Sequence, residues 1–352
     1  MSTFHRLVLI GAGLAAPLSA TLSATLSAAD LGYSLIDVLS DSLLMHCGCT
    51  SIGIDTGWDV DHLGGERVKP WAISLRYDQL EQDQLLTGRK AVDIPAGSSA
   101  GIQHRTATLD ADYQLTPAWS LGFSVPWVDR RQDDVFVDET DPTISTEDRN
   151  HGQGLGDIKA EARYIVSAGV SHRVGVIVGV KLPTGCTSKR TTVTTSESGT
   201  VTDVSDEPVT WTVNPGNGAT DGIIGGLWRG EVLEHHQLDF FARIQAQFAA
   251  THHDEFRPGT RYSLNVGAHC QLHRYVSINL QATGLTSRRD TGERAENEES
   301  GGEFITISPG LAVYPMMDWQ IFANYLLPAY SRVNGEQLVV TSGWSAGTAV
   351  RF

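Results

Sequence analysis

The chain has 352 residues, is 41% hydrophobic and 19% charged, and carries a formal net charge of −15. That balance excludes an intrinsically disordered chain, and the negative sign removes electrostatic support for nucleic-acid binding. Thirty-six glycines suit a protein with many turns and closely packed strands.

Residues 1–29 read as a secretory signal peptide. Arg6 precedes an apolar run from Leu7 to Ala16, and Ser27-Ala28-Ala29 supplies a small-residue cleavage site. A run of about 10 apolar residues is too short to span a bilayer as a helix. Residues 30–68 are expected to form a periplasmic N-terminal segment. Within it Leu31, Leu35, Val38, Leu39 and Leu43 fall near helical spacing and predict a short amphipathic helix, placed to cap or plug a pore. Next comes MHCGCTS. His46, Cys47 and Cys49 are soft donors suited to a thiophilic metal such as Cu(I) or Zn. A local disulfide, or a mixed disulfide with a periplasmic protein partner, is the alternative in an oxidising compartment. No other cofactor is indicated.

From Trp71 onward the pattern has a period of two. Trp71, Ile73, Leu75 and Tyr77 alternate with Ala72, Ser74, Arg76 and Asp78. Ala107, Leu109, Ala111 and Tyr113 alternate with Thr106, Thr108, Asp110 and Asp112. The alternation recurs in WSLGFSVPW, DIKAEARYIV, RVGVIVGVKL, LDFFARIQAQF, RYSLNVGAHCQL and VSINLQATG. It weakens in DGIIGGLWRGEV, where either parity fits. Counting the less regular FITISPGLAVY and WQIFANYLL and the C-terminal stretch gives about 12 strands, an even number, as closed membrane barrels have.

The connections sort into two kinds. Short links fall at Thr116-Pro117, near residues 167–171 and 234–236, at His273-Arg274 and near 315–318. Long polar links run over 80–102, 129–153, 183–219 and 287–302. Short turns at one end and long loops at the other predict an all-β fold: a closed antiparallel transmembrane β-barrel over residues 69–352, in the outer membrane of a Gram-negative bacterium. Trp119 and Trp127 share a parity eight positions apart, about 26 Å along a strand. Tilted, that length matches the apolar band between two aromatic girdles.

The C-terminus completes the pattern. Trp344, Val350 and Phe352 share the apolar parity, and a terminal aromatic strand is the signal expected for barrel-assembly machinery. The last strand must also pair with the first, since a sheet edge is not tolerated in lipid. The opposite parity supplies the expected pore lining: Arg76, Asp78, Asp110, Asp112, Lys159, Glu161, Arg163, Lys181, Arg243 and Arg261. Their mixed signs predict weak charge selectivity and ion pairs across a narrow lumen.

Several stretches carry a resemblance. Gly154-Leu155-Gly156-Asp157 opens a strand and Leu182-Pro183-Thr184-Gly185 closes the next. Leu327-Pro328-Ala329-Tyr330 then leads to Val333-Asn334-Gly335-Glu336-Gln337-Leu338 and the aromatic terminus. In that order, over the region from Trp71 to Phe352, they resemble the outer-membrane barrel proteins named for the meta pathway of phenol degradation. The resemblance implies a channel or transporter for small aromatic or apolar solutes. Its partners would be outer-membrane lipid, lipopolysaccharide and the solute. A barrel that docks or sheathes a periplasmic metal- or electron-transfer partner through the Cys segment is the alternative. A barrel hydrolase is the third reading, but G-x-S-x-G, H-E-x-x-H and C-x-x-C-H are absent, so an enzyme is not expected.

Overall fold

The computed structural model describes residues 69–352 except 95, 139–140, 170–171, 210, 232–237, 296 and 317. The signal peptide, the predicted N-terminal helix and His46, Cys47 and Cys49 lie outside the described residues.

The described chain is built from strands. In order they are β1 (Trp71–Thr87), β2 (Lys90–Ala91), β3 (Ile102–Gln114), β4 (Trp119–Val137), β5 (Ile144–Leu155), β6 (Ile158–Ala168), β7 (His172–Leu182) and β8 (Arg190–Glu197). The second half holds β9 (Thr200–Pro208), β10 (Asp221–Glu231), β11 (Leu238–Ala249), β12 (Arg261–His273), β13 (Val276–Ser287), β14 (Gly302–Met316), β15 (Trp319–Val333) and β16 (Glu336–Arg351).

Twelve of these close into an antiparallel ring. Its order is β1-β3-β4-β6-β7-β10-β11-β12-β13-β14-β15-β16, returning to β1. Closure is made where the sequence pattern placed it. Trp71 N donates to Phe352 O at 3.1 Å, and Phe352 N donates to Trp71 O at 3.1 Å. The two edges of the sheet pair with each other, as a wall in hydrocarbon requires.

The outer face is apolar and exposed. Leu75, Trp127, Val178, Ile244, Leu280 and Trp344 all stand out from the wall, and Val178 is 60% exposed. In water such a belt is an aggregation surface; in a bilayer it faces acyl chains. Aromatic pairs mark its lower border. Trp71 and Tyr113 are cross-strand partners with ring centroids 4.6 Å apart, and Trp119 and Tyr164 lie at 4.7 Å. Tyr77 and Trp344, at 5.3 Å, mark the upper one.

The long connections are not all loops. β4 runs on to Val137 after its last pair with β6 at Ser124, keeping β3 as a neighbour up to Gln132, and β5, β8 and β9 continue it as a sheet beyond the membrane. The acidic stretch DDVFVDETDPTISTED, for which the sequence leaves open a solvated loop, calcium coordination or an ion bridge to lipopolysaccharide, supplies the end of β4 and the start of β5. The change of neighbour has a local cause. β4 pairs with β6 up to Ser124 and with β5 from Trp127 onward. Pro126 sits at the hand-over, where a residue without an N–H sacrifices no ladder bond to either neighbour. Above it Leu85, Ala100, Ile102, Phe136 and Leu338 form a small apolar core inside the outer rim.

The lipid-facing assignment has a direct test. Val178→Arg should cost about 2–4 kcal/mol of folding free energy in lipid vesicles, measured by urea titration, because the charge would sit in the apolar band. Val178→Ile should change it by less than about 1.5 kcal/mol.

Candidate functional site

The inward parity of the ring carries the candidate site. Strand alternation places all ten residues expected to line the pore on this face, opposite the exposed apolar belt. They separate into two groups.

The first is an ion-pair layer. Arg163 on β6 reaches past β4 to Asp112 on β3, with Nη1 2.6 Å from Oδ1. Glu161 accepts from Arg243 on β11, with Nη2 at 2.9 and 2.8 Å from its two oxygens, and stands 3.4 Å from Arg163 Nη2. β6 and β11 are separated by β7 and β10 in the ring, so this contact crosses the interior rather than following the wall. Glycine makes the crossing of β4 feasible. A Cβ on Gly122 would lie 2.7 Å from Asp112 Oδ1 and 2.8 Å from Arg163 Nη2. Toward the periplasm Ile165, Ile177, Leu227 and Phe241 pack together on the same inner face. The interior is therefore not the uniformly polar column that alternation alone suggests. Inward apolar residues sit beneath the charged layer.

The second group surrounds a cavity of about 190 Å³ on the outer side of that layer. Arg76, Asp78, Lys159, Lys181 and Arg261 line it. Arg76 Nε is 2.9 Å from Asp78 Oδ2, and Asp110 Oδ2 accepts from Ser74 Oγ at 3.4 Å. Lys181 Nζ lies 2.8 Å from Asp157 and 3.2 Å from Asp221.

The lid of this cavity is the part that alternation does not reveal. The segment 211–217, WTVNPGN, lies within a connection read as polar loop but folds inward instead. Thr212, Val213 and Asn214 are buried, Val213 completely. Arg130 holds it by donating to the carbonyls of Thr212 at 2.6 Å and Asn214 at 2.8 Å. Gly152 on β5 permits the approach, because a Cβ there would be 1.9 Å from Val213 O. Trp211 stacks on Phe256 at 4.6 Å and 12°, and the Arg294 guanidinium lies 5.1 Å from the Trp211 ring. An unbroken reading of β4 parity from Ser120 would have placed Arg130 inside. Trp211 and Val213, apolar residues just before Pro215-Gly216, are the signal that this connection is not simply solvated.

Among the described residues no group of three or more His, Cys, Asp or Glu is arranged to hold a metal. Cys186 and Cys270 are free thiols, and Cys186 is exposed.

No protein-family model matches the chain, and no curated protein matches it in sequence. Among solved structures it is similar to an outer membrane channel from Pseudomonas putida F1, at 12% identity, over 85% of this chain and 100% of that one, with a TM-score of 0.62. A monoaromatic hydrocarbon channel aligns at 9% identity over 81% of this chain and 89% of that one, with a TM-score of 0.43. The first likeness shows the fold, and the closed ring and its apolar belt agree with it: an antiparallel β-barrel of the outer-membrane kind.

Removing the shared cation of the ion-pair layer should be costly. Arg163→Ala takes away the guanidinium 2.6 Å from Asp112 in a confined interior, and should destabilise the barrel by about 3–5 kcal/mol in urea refolding. Arg163→Lys should recover only part of the loss, because an ammonium cannot serve both carboxylates with a planar fork.

Proposed function

We propose that this barrel is an outer-membrane channel for small solutes, with single-ring aromatic or similarly sized apolar compounds as the cargo. The observation that carries the reading is the cavity of about 190 Å³ held between the ion-pair layer and the infolded segment. Its lining mixes charged groups with Trp211, Phe256, Leu80 and Leu326. A cavity of about 150 Å³ is enough for benzene. A solute that size has apolar walls to contact and a polar route around it.

The resemblance to the meta-pathway barrel proteins favours the same cargo class. The mixed signs of the lining favour weak ion selectivity. At twelve strands the lumen is only modestly wider than a side-chain-filled eight-stranded barrel, so inward charges narrow it effectively. The exposed Phe352 at the closing seam supports its role, with Trp344 and Val350, as the assembly signal.

The refolded mature protein in a planar bilayer tests this reading. It should give small, steady conductance. Replacing residues 211–217 with a short Gly-Ser link should raise that conductance several-fold, and flux of a single-ring aromatic into vesicles should rise with it. Charge reversal at Asp110 and Asp112 should shift the reversal potential in a salt gradient. A folded barrel that conducts in neither form would overturn the channel reading.

A further inference from the structure

Above the membrane, β4 and β5 share a polar patch that passage of solute does not use. The register pairs Gln132 with Asn150 and Asp134 with Asp148. Facing residues on such a ladder have Cβ atoms about 4.5–5.5 Å apart, so the four side chains form a compact square on one face. All four are withdrawn from solvent: Gln132 is 0% exposed, Asp134 1%, Asn150 2% and Asp148 7%.

Two carboxylates buried side by side need compensation. Among the described residues neither makes an ion pair. Asp134 accepts from Gln132 Nε2 at 2.6 Å and Gly101 N at 3.2 Å. Asp148 accepts from Asn150 Nδ2 at 2.7 Å and Thr191 Oγ1 at 3.4 Å. Every donor is neutral.

A second observation is independent of the carboxylates. Gln132 Oε1 and Asn150 Oδ1 are buried and have no hydrogen-bond partner. Each amide spends its nitrogen on a carboxylate and leaves its oxygen unsatisfied, a cost of about 1–3 kcal/mol per group. Turning the amides over would bring oxygen against oxygen, unless a cation lay between them. Two carboxylates and two amide carbonyls on one face form an all-oxygen donor set with a formal charge of −2. That is the chemistry of a hard divalent ion, and the flexible six- to eight-fold coordination of calcium suits it better than the strict octahedron of magnesium.

We infer that Gln132, Asp134, Asp148 and Asn150 form a calcium site that joins β4 to β5. The site lies beyond the hand-over at Pro126, where β5 stands outside the ring and depends on β4 and β8 for its place. Through Gly152 and its contact with Val213, β5 also supports the infolded segment. Calcium therefore fixes the outer sheet that closes the mouth.

The test uses the full mature protein, refolded in detergent without lipopolysaccharide and stripped with EGTA. Titration calorimetry with calcium chloride should show one ion per barrel. The melting temperature should rise by several degrees at saturating calcium, and magnesium should bind at least tenfold more weakly. Asp134→Asn/Asp148→Asn should abolish both the binding heat and the thermal shift. If that pair does not fold, Asp148→Asn alone should weaken binding at least tenfold. Absence of calcium binding to the wild-type protein would overturn the site. Binding that is unchanged in the Asn variants would do the same.

Discussion

The rest of the structure depends on a single requirement: in hydrocarbon, every backbone N–H and C=O in the wall needs a partner within the wall. The reciprocal bonds between Trp71 and Phe352 meet it by joining β1 to β16. That join fixes the register of the ring. Because side chains alternate, a slip of one residue would send Arg76 and Asp78 into lipid and Ile73 and Leu75 into the lumen. The terminal aromatic is thus both the end of the chain and the seam of the barrel.

Closure creates the second problem, which is where to put charge. A ring of this size encloses little space, and the charged side chains inside it cannot all be hydrated independently. They are matched across the interior instead: Arg243 to Glu161, Glu161 to Arg163, Arg163 to Asp112. Small residues supply the room, as Gly122 does beneath the Arg163–Asp112 pair. The layer is costly to desolvate, and it excludes alternative packings, because any carboxylate without its guanidinium is more costly still. Apolar packing of Phe241, Ile177, Leu227 and Ile165 below it shows that the lumen is organised in layers rather than lined evenly.

How much of this was legible depended on whether a segment met a two-sided environment. Between lipid and lumen each strand must alternate, so the membrane-crossing part of β1, β3, β4, β6 and β11 could be read directly, as could the inward parity of the charged residues. β10 resisted because glycines occupy both parities; Gly225 and Gly226 erase the contrast that Ile223 and Ile224 leave ambiguous. The extension of β4 and β5 resisted for a different reason. Beyond the membrane both faces of a sheet can be polar, so Asp133, Asp134, Glu147 and Asp148 carry no alternation to read. The infolded segment has no period at all. Its position is set by Arg130, some eighty residues earlier in the chain, and such a contact is a property of the closed barrel, not of any local stretch.

The same contrast separates what can move from what cannot. Opening the ring would strand backbone groups in hydrocarbon, so the wall is the least adaptable part of the molecule. The outer sheet is under no such penalty, since water can satisfy whatever bonds it gives up. The segment 211–217 is held by Arg130, by the Trp211–Phe256 stack and by its seat on β5. Each is a contact at the mouth, distant from the Trp71–Phe352 seam, and can be released without disturbing it. Low-stability elements supply functional motion in folded proteins generally. Here they lie on the aqueous side of Pro126, where β4 exchanges β6 for β5. The parts of this barrel that are free to rearrange lie at its mouth, and its wall stays fixed.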